Sequence, residues 1–132
     1  MRALICGISG QDGAYLAKLL LEHGYEVIGT SRDAQVARFE NLGRLGVLDR
    51  VKLESMSPVD FRSVFQVLRK WMPQEVYNLS GQSSVGLSFE QPVETFNSIV
   101  NGTVNVIEAI RFLGEPIRFY NAAVGRTFSA PE

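Results

Sequence analysis

One stretch near the N-terminus, ALICGISGQDGAYL (Ala3 to Leu16), limits what this chain can fold into. A short apolar run stops at Gly7, further glycines stand at Gly10 and Gly13, and a helical apolar pattern starts at Asp12. The chemistry of a phosphate-binding turn needs that spacing. Glycine at the first position allows the tight turn, and at the second it lets the backbone approach a pyrophosphate. At the third it lets the helix pack closely on its strand, with its positive end aimed at the phosphates. Turns of other kinds also use glycine, so the triplet gains its weight from the pattern of the remaining chain.

That pattern is an alternation of strand-like and helical segments. Leu16, Leu19 and Leu20 recur at helical spacing between Asp12 and His23, and Gly24 offers a left-handed stop. Tyr25 to Thr30 is a second strand-like run, rich in β-branched residues. Residues from about Ala34 to Leu45 read as helical, although Gly43 weakens the pattern, and Val51 to Ser55 form a third strand. Ser57 can then cap a helix, with Pro58 at its first position and Asp60 at its positive end. Its buried stripe is Phe61, Val64, Phe65 and Leu68, and Pro73 ends it. Glu75 to Ser80 is the fourth strand. A long helix from about Val93 to Leu113 places Val93, Phe96, Val100, Thr103, Ile107 and Ile110 on one face. Gly114 and Pro116 close that helix before Ile117 to Ala122 makes a fifth strand, after which only a short polar run remains.

Strands separated by helices imply parallel neighbours joined by crossovers. Right-handed crossovers in a doubly wound α/β arrangement give the strand order 3-2-1-4-5, cut off after strand five, with helices on both faces. Ligands of such sheets bind beyond the carboxyl ends of the strands, at the switch point between strands one and four. The 132 residues suit a single domain, so residues 1–132 are expected to form one dinucleotide-binding unit.

Composition excludes more than it suggests. Thirteen basic residues oppose fourteen acidic ones, so no net field recruits nucleic acid or an anionic membrane surface. No apolar stretch approaches the roughly 18 residues of a membrane span, and no secretory signal precedes Gly7, which leads to the expectation of a cytoplasmic location. Cys6 is the only cysteine and sits within an apolar run, as a buried strand thiol would. His23 is the only histidine and has no second histidine or cysteine with which to share a metal.

The end of the second strand should carry the residue that reads the adenosine ribose. An arginine there favours the 2′-phosphate of NADP, and an acidic residue the 2′-hydroxyl of NAD. The chain offers Thr30-Ser31-Arg32-Asp33. Arg32 comes first and favours NADP, while Asp33 keeps NAD open.

The spacing G-x-x-G-x-x-G resembles that of the extended short-chain dehydrogenase/reductases, whose dinucleotide domain is of the Rossmann type. Three longer stretches resemble the GDP-mannose 4,6-dehydratase family: GISGQDGAYLAKLLLEHGYEVIGTSRD, YNLSGQSSVGLSFEQPVET and NGTVNVIEAIRF. The likeness runs from residue 1 to about 122, and Gln11-Asp12-Gly13 with Gly81-Gln82-Ser83-Ser84 are specific to that family among its relatives. It implies an internal redox cycle. A hydride passes from C4 of the mannosyl ring to bound NADP, a base removes the C5 proton, water leaves from C6, and the hydride returns to C6. By match of motif, Gly7, Ser9, Gly10, Gln11, Asp12 and Gly13 would hold the pyrophosphate and Arg32 the 2′-phosphate. Leu79, Ser80, Gly81 and Gln82 would line the nicotinamide side, and Ser83 and Ser84 would meet the nucleotide sugar, GDP-mannose. Another sugar-nucleotide reductase or epimerase is a more distant reading, against which the Gln11-Asp12 and Gln82-Ser84 matches argue.

Three departures accompany the likeness. Ser57 and Pro58 stand where the family has an Asp-Leu pair near the adenine, which implies looser contact there. Val124, Gly125 and Arg126 stand where it has a Ser/Thr-Ser-Glu run, although Phe128 matches the aromatic after that run. Valine cannot hydrogen-bond through its side chain, and arginine cannot accept a proton near neutral pH. The family's Tyr-x-x-x-Lys is missing as well, because Leu19, Gly29, Gly81 and Val124 stand four positions after Tyr15, Tyr25, Tyr77 and Tyr120. The expectation is a chain with the coenzyme-binding half of the family's site and no catalytic residues, without the family's catalytic helix and sugar-binding lobe. It would be inactive alone, either as a cut enzyme or as a non-catalytic NADP-binding or partner-docking module. One face of strands four and five would lack a covering helix, so a homo-oligomer or association through that face is also expected.

Overall fold

In the computed structural model, which describes residues 1–8, 11–32, 39–79, 92–123 and 126–129, the first apolar run is the strand β1 (Arg2–Cys6). Successive side chains of a strand point to opposite faces, and β1 feeds two cores in this way. Ala3 and Ile5 face one, Leu4 and Cys6 the other, and all four are buried. The chain returns through α1 (Gln11–Glu22) to β2 (Glu26–Ser31), with Gly24 at φ 81° between them as the expected left-handed stop. Then come α2 (Glu40–Arg44), a 3₁₀ turn at Leu48–Arg50, β3 (Val51–Ser55), α3 (Phe61–Trp71) and β4 (Glu75–Asn78). The helix α4 (Pro92–Leu113) ends at Gly114, with φ 69°, and leads into β5 (Arg118–Ala123) and β6 (Arg126–Ser129).

The five strands expected from the sequence lie parallel in the expected order, within a sheet β3-β2-β1-β4-β5-β6. The polar run expected after strand five corrects that reading, because it holds a sixth strand. β6 pairs antiparallel with β5, from Ala123 opposite Arg126 to Tyr120 opposite Ser129. The helices divide between the two faces. α1 and α2 pack over β1 to β3 through Ala14, Ala17, Leu20 and Leu42. α3 and α4 cover the opposite face, where Val64, Leu68, Val106 and Ala109 meet Leu4, Ile28, Val76 and Phe119.

Within the helices, the buried stripes shift from those read in the sequence. On α1 the leucine pattern overstated Leu19, which is 51% exposed, while Gly13, Ala14 and Ala17 are buried. Small residues let the helix axis approach the sheet closely, so they take the contact that leucine spacing suggested. On α4, Gly102, Val106 and Ala109 face inward, whereas Val100, Val104 and Ile107 are exposed. A Cβ built on Gly102 would lie 3.0 Å from Cβ of Pro58, which shows how close α4 comes to the segment after β3. The first turn of α3 differs too. Asp60 is the N-cap, its carboxylate accepting from the Arg62 amide at 3.0 Å. Ser57 and Pro58 lie in the turn before it, closed by the Asp60 amide on the Ser57 carbonyl. The second helix is shorter than its pattern, α2 covering only Glu40–Arg44, and the rest of that reading, 34–38, lies outside the described residues.

Candidate functional site

The carboxyl ends of β1, β2 and β4 converge at the reversal of strand order. Gly7 comes directly after β1 and takes φ 82°, a conformation in which an L side chain is strained. Its amide and that of Ile8 both donate to the Thr30 carbonyl at 3.0 Å, tying the turn to the end of β2. Ile8 is fully buried and lies over Gly29, where a Cβ would come within 2.6 Å of the isoleucine Cγ1. Gly13, in the first turn of α1, sits against the backbone of the glycine turn. A Cβ there would meet the Gly7 carbonyl oxygen and the Ile8 Cα at 3.0 Å each. The first and third glycines thus occupy the conformations their proposed roles require. The two amides held by Thr30 are committed within the fold, and the positive end of the α1 dipole lies at Gln11, where the helix begins.

The other sequence-derived positions fall around this turn. Asp12 is exposed in the first turn of α1. Arg32 is exposed just past the end of β2. Beside it the Ser31 hydroxyl oxygen is buried with no hydrogen-bond partner among the described residues, so a polar group arriving there would find an unspent donor. Leu79 leaves β4 with its amide on the Cys6 carbonyl at 2.9 Å, which brings the fourth-strand exit next to Gly7. Ser9, Gly10, Ser80, Gly81, Gln82, Ser83 and Ser84 lie outside the described residues, as do Val124 and Gly125, while Arg126 opens β6. The residues present fit a dinucleotide: a positive-φ glycine turn, a helix start packed directly on that turn at Gly13, and an orphaned hydroxyl at the end of β2.

Sequence reasoning missed the buried polar groups at the carboxyl end of β4. Asn78, 3% exposed at the end of β4, donates from Nδ2 to Asn121 Oδ1 at 2.9 Å and to Thr103 Oγ1 at 3.3 Å. Its strand position was legible, but cross-strand partners are not visible in a linear pattern.

Tyr25 and Tyr77 offer no replacement base. Tyr77 lies on the α1 side of β4, stacked on Tyr120 with centroids 4.9 Å apart, and donates to Glu75 Oε1 at 2.7 Å. Burial, reinforced by that carboxylate, pushes its phenol up rather than down. Tyr25 donates to the other oxygen of Glu75 at 3.3 Å and is raised by the same causes. Both hydroxyls thus meet a carboxylate at the amino end of β4, away from Gly7. Cys6 points into the core, where burial pushes its thiol up to about 12, so it offers no thiolate near neutral pH. Among the described residues no group of three His, Cys, Asp or Glu could hold a metal ion, and no helix is long and apolar enough to cross a membrane.

Comparison with known proteins adds to this geometry. A family model described as GDP-mannose 4,6 dehydratase matches residues 4–128. The chain is similar to a GDP-mannose 4,6-dehydratase of Vibrio cholerae serotype O1, with 38% identity over 96% of this chain and 36% of that protein. It is also similar to one from Sinorhizobium fredii, 39% identical over 96% of this chain and 38% of the relative. Among solved structures it resembles the UDP-glucose 4-epimerase of Thermus thermophilus in complex with NAD. That likeness has a TM-score of 0.72 and 31% identity over 86% of this chain and 35% of the other. The chain therefore spans little more than a third of the length of the relatives it matches.

Proposed function

This chain belongs to the GDP-mannose 4,6-dehydratase family, and from that premise we propose that it binds NADP across the crevice between β1 and β4. The observation that carries the reading is the turn itself, with Gly7 at φ 82° and Gly13 pressed against its carbonyl where α1 begins. In this reading the first-turn amides of α1 at Gln11, Asp12 and Gly13 bind the pyrophosphate together with Ser9 and Gly10. Arg32 pairs with the 2′-phosphate, the Ser31 hydroxyl lies beside it, and Leu79 to Gln82 line the nicotinamide side. When bound, the nicotinamide supplies a hydride acceptor and donor for a sugar. Ser83 and Ser84 are assigned to the sugar nucleotide, GDP-mannose, by family likeness. Residues 1–132 then act as one coenzyme-binding domain.

Catalysis is assigned to none of these residues. A family member deprotonates through groups that Val124, Gly125 and Arg126 do not supply here, and the sequence contains no Tyr-x-x-x-Lys. Removing one acid/base group costs about 10²–10⁴ in rate, so the chain alone is expected to give no 4-keto sugar from GDP-mannose in a time course with NADP. Association through the face of β4 and β5 that carries Tyr77 and Tyr120, both half-buried, belongs to the same proposal. A sedimentation run showing only monomer at micromolar concentration would count against it.

Titration calorimetry with NADP and NAD tests the coenzyme reading directly. NADP is expected to bind more tightly, and Arg32→Ala to weaken NADP about ten- to hundredfold, the loss of a charge-assisted phosphate contact, while leaving NAD unchanged. No heat with either nucleotide would end the proposal.

A further inference from the structure

Resting on that coenzyme reading, we infer that Asn78 is a positioning residue that holds the nicotinamide-side wall of the crevice through a buried amide relay to Asn121 and Thr103. Asn78 shares its face of β4 with Val76, on the side that α3 and α4 cover, where the core cluster of Cys6, Met56, Val106 and Phe119 is buried. A polar side chain at such a place is costly unless bonded, and an apolar residue of similar volume would fill it without that cost. What the amide adds is direction. One Nδ2 group bonds Asn121, its opposite number in the β4–β5 register, and Thr103 on α4. Three elements are thereby tied at a single level, at the carboxyl ends of the strands.

The next residue carries that tie into the site. Leu79 bonds the Cys6 carbonyl at 2.9 Å, immediately before Gly7, so the start of the segment assigned to the nicotinamide side is pinned on one side by β1 and on the other by Asn78. In an open α/β sheet of this order the adenosine half of a dinucleotide lies toward β2 and the other half toward β4 and β5. A defect at Asn78 should therefore be felt by one half of the ligand and not by the other. A purely structural asparagine would affect both halves together or neither.

The full chain is titrated with NADPH and, separately, with adenosine 2′,5′-bisphosphate, which carries the adenosine half alone. Asn78→Leu is expected to weaken NADPH about tenfold or more, the size of one lost buried hydrogen bond, with the bisphosphate constant within about twofold. Asn121→Leu should reproduce that pattern, and Asn121→Asp, which keeps an acceptor for Nδ2, should restore NADPH binding. If Asn78→Leu does not fold, Asn121→Leu and Thr103→Val carry the same comparison. An unchanged NADPH constant, or equal losses for both ligands, overturns the positioning role while leaving the coenzyme reading intact. Failure of the unsubstituted chain to bind either ligand overturns that reading and this inference with it.

Discussion

At Gly13 and Gly43 the same substitution has opposite consequences. A Cβ at Gly13 would press on backbone atoms of the Gly7 turn at 3.0 Å, and backbone cannot step aside as a side chain tip can. Gly13→Ala is expected to lose about 1–3 kcal/mol in urea denaturation. Gly43 lies within α2 with nothing near its missing Cβ, so Gly43→Ala should gain about 0.5–1 kcal/mol in the same measurement. The thiol of Cys6, pushed up to about 12 by burial, should resist iodoacetamide at pH 8 in the native chain and react only when it unfolds, as mass spectrometry would report. The roles of Gly7 and Gly13 were legible in the sequence because spacing alone implies a turn and a close packing. The partners of Asn78, Tyr77 and Glu75 were not, since these contacts depend on strand pairing or on packing between elements.

Among the elements, α3 shows how a helix start can be legible in kind and misplaced in detail. Ser57, Pro58 and Asp60 are all residues that favour helix beginnings, and three-dimensional context selects Asp60. Asp60→Ala is expected to cost about 1 kcal/mol, and Ser57→Ala clearly less, by thermal or urea unfolding. In α4 the periodicity could not decide, because apolar residues occur on nearly every side of the helix. Close packing chose the glycine and alanine face, leaving Val100, Val104 and Ile107 outward. The hairpin strand β6 was overlooked because four residues of mixed character give a weak strand signal, and its antiparallel pairing departs from the crossover rule that ordered the other five.

For the whole molecule, the sheet order came from alternation and handedness, and neither depends on fine side-chain detail. The charges that join its edge do depend on such detail. Lys52 on β3 and Arg2 on β1 both bond Glu26 on β2, holding that carboxyl below its ordinary value of 4.5. A depressed folded pKa stabilises the protein above the unfolded value, and the contribution disappears as pH falls through the lower folded one. Glu26→Gln should therefore flatten the acid limb of a stability profile and converge with the parent chain at the lowest pH. Added salt should shrink the difference, because all three side chains are partly exposed.

The Thr30 carbonyl that accepts from both Gly7 and Ile8 has a consequence for local opening. Two consecutive amides that share one acceptor on β2 are freed by the same event, the separation of β1 from β2. In deuterated buffer they should exchange slowly and at a matched free energy, as members of the sheet rather than of a loop. Saturating nucleotide would then slow both groups by different routes, the first-turn amides of α1 by covering them and the Gly7–Ile8 pair by raising the free energy of sheet opening.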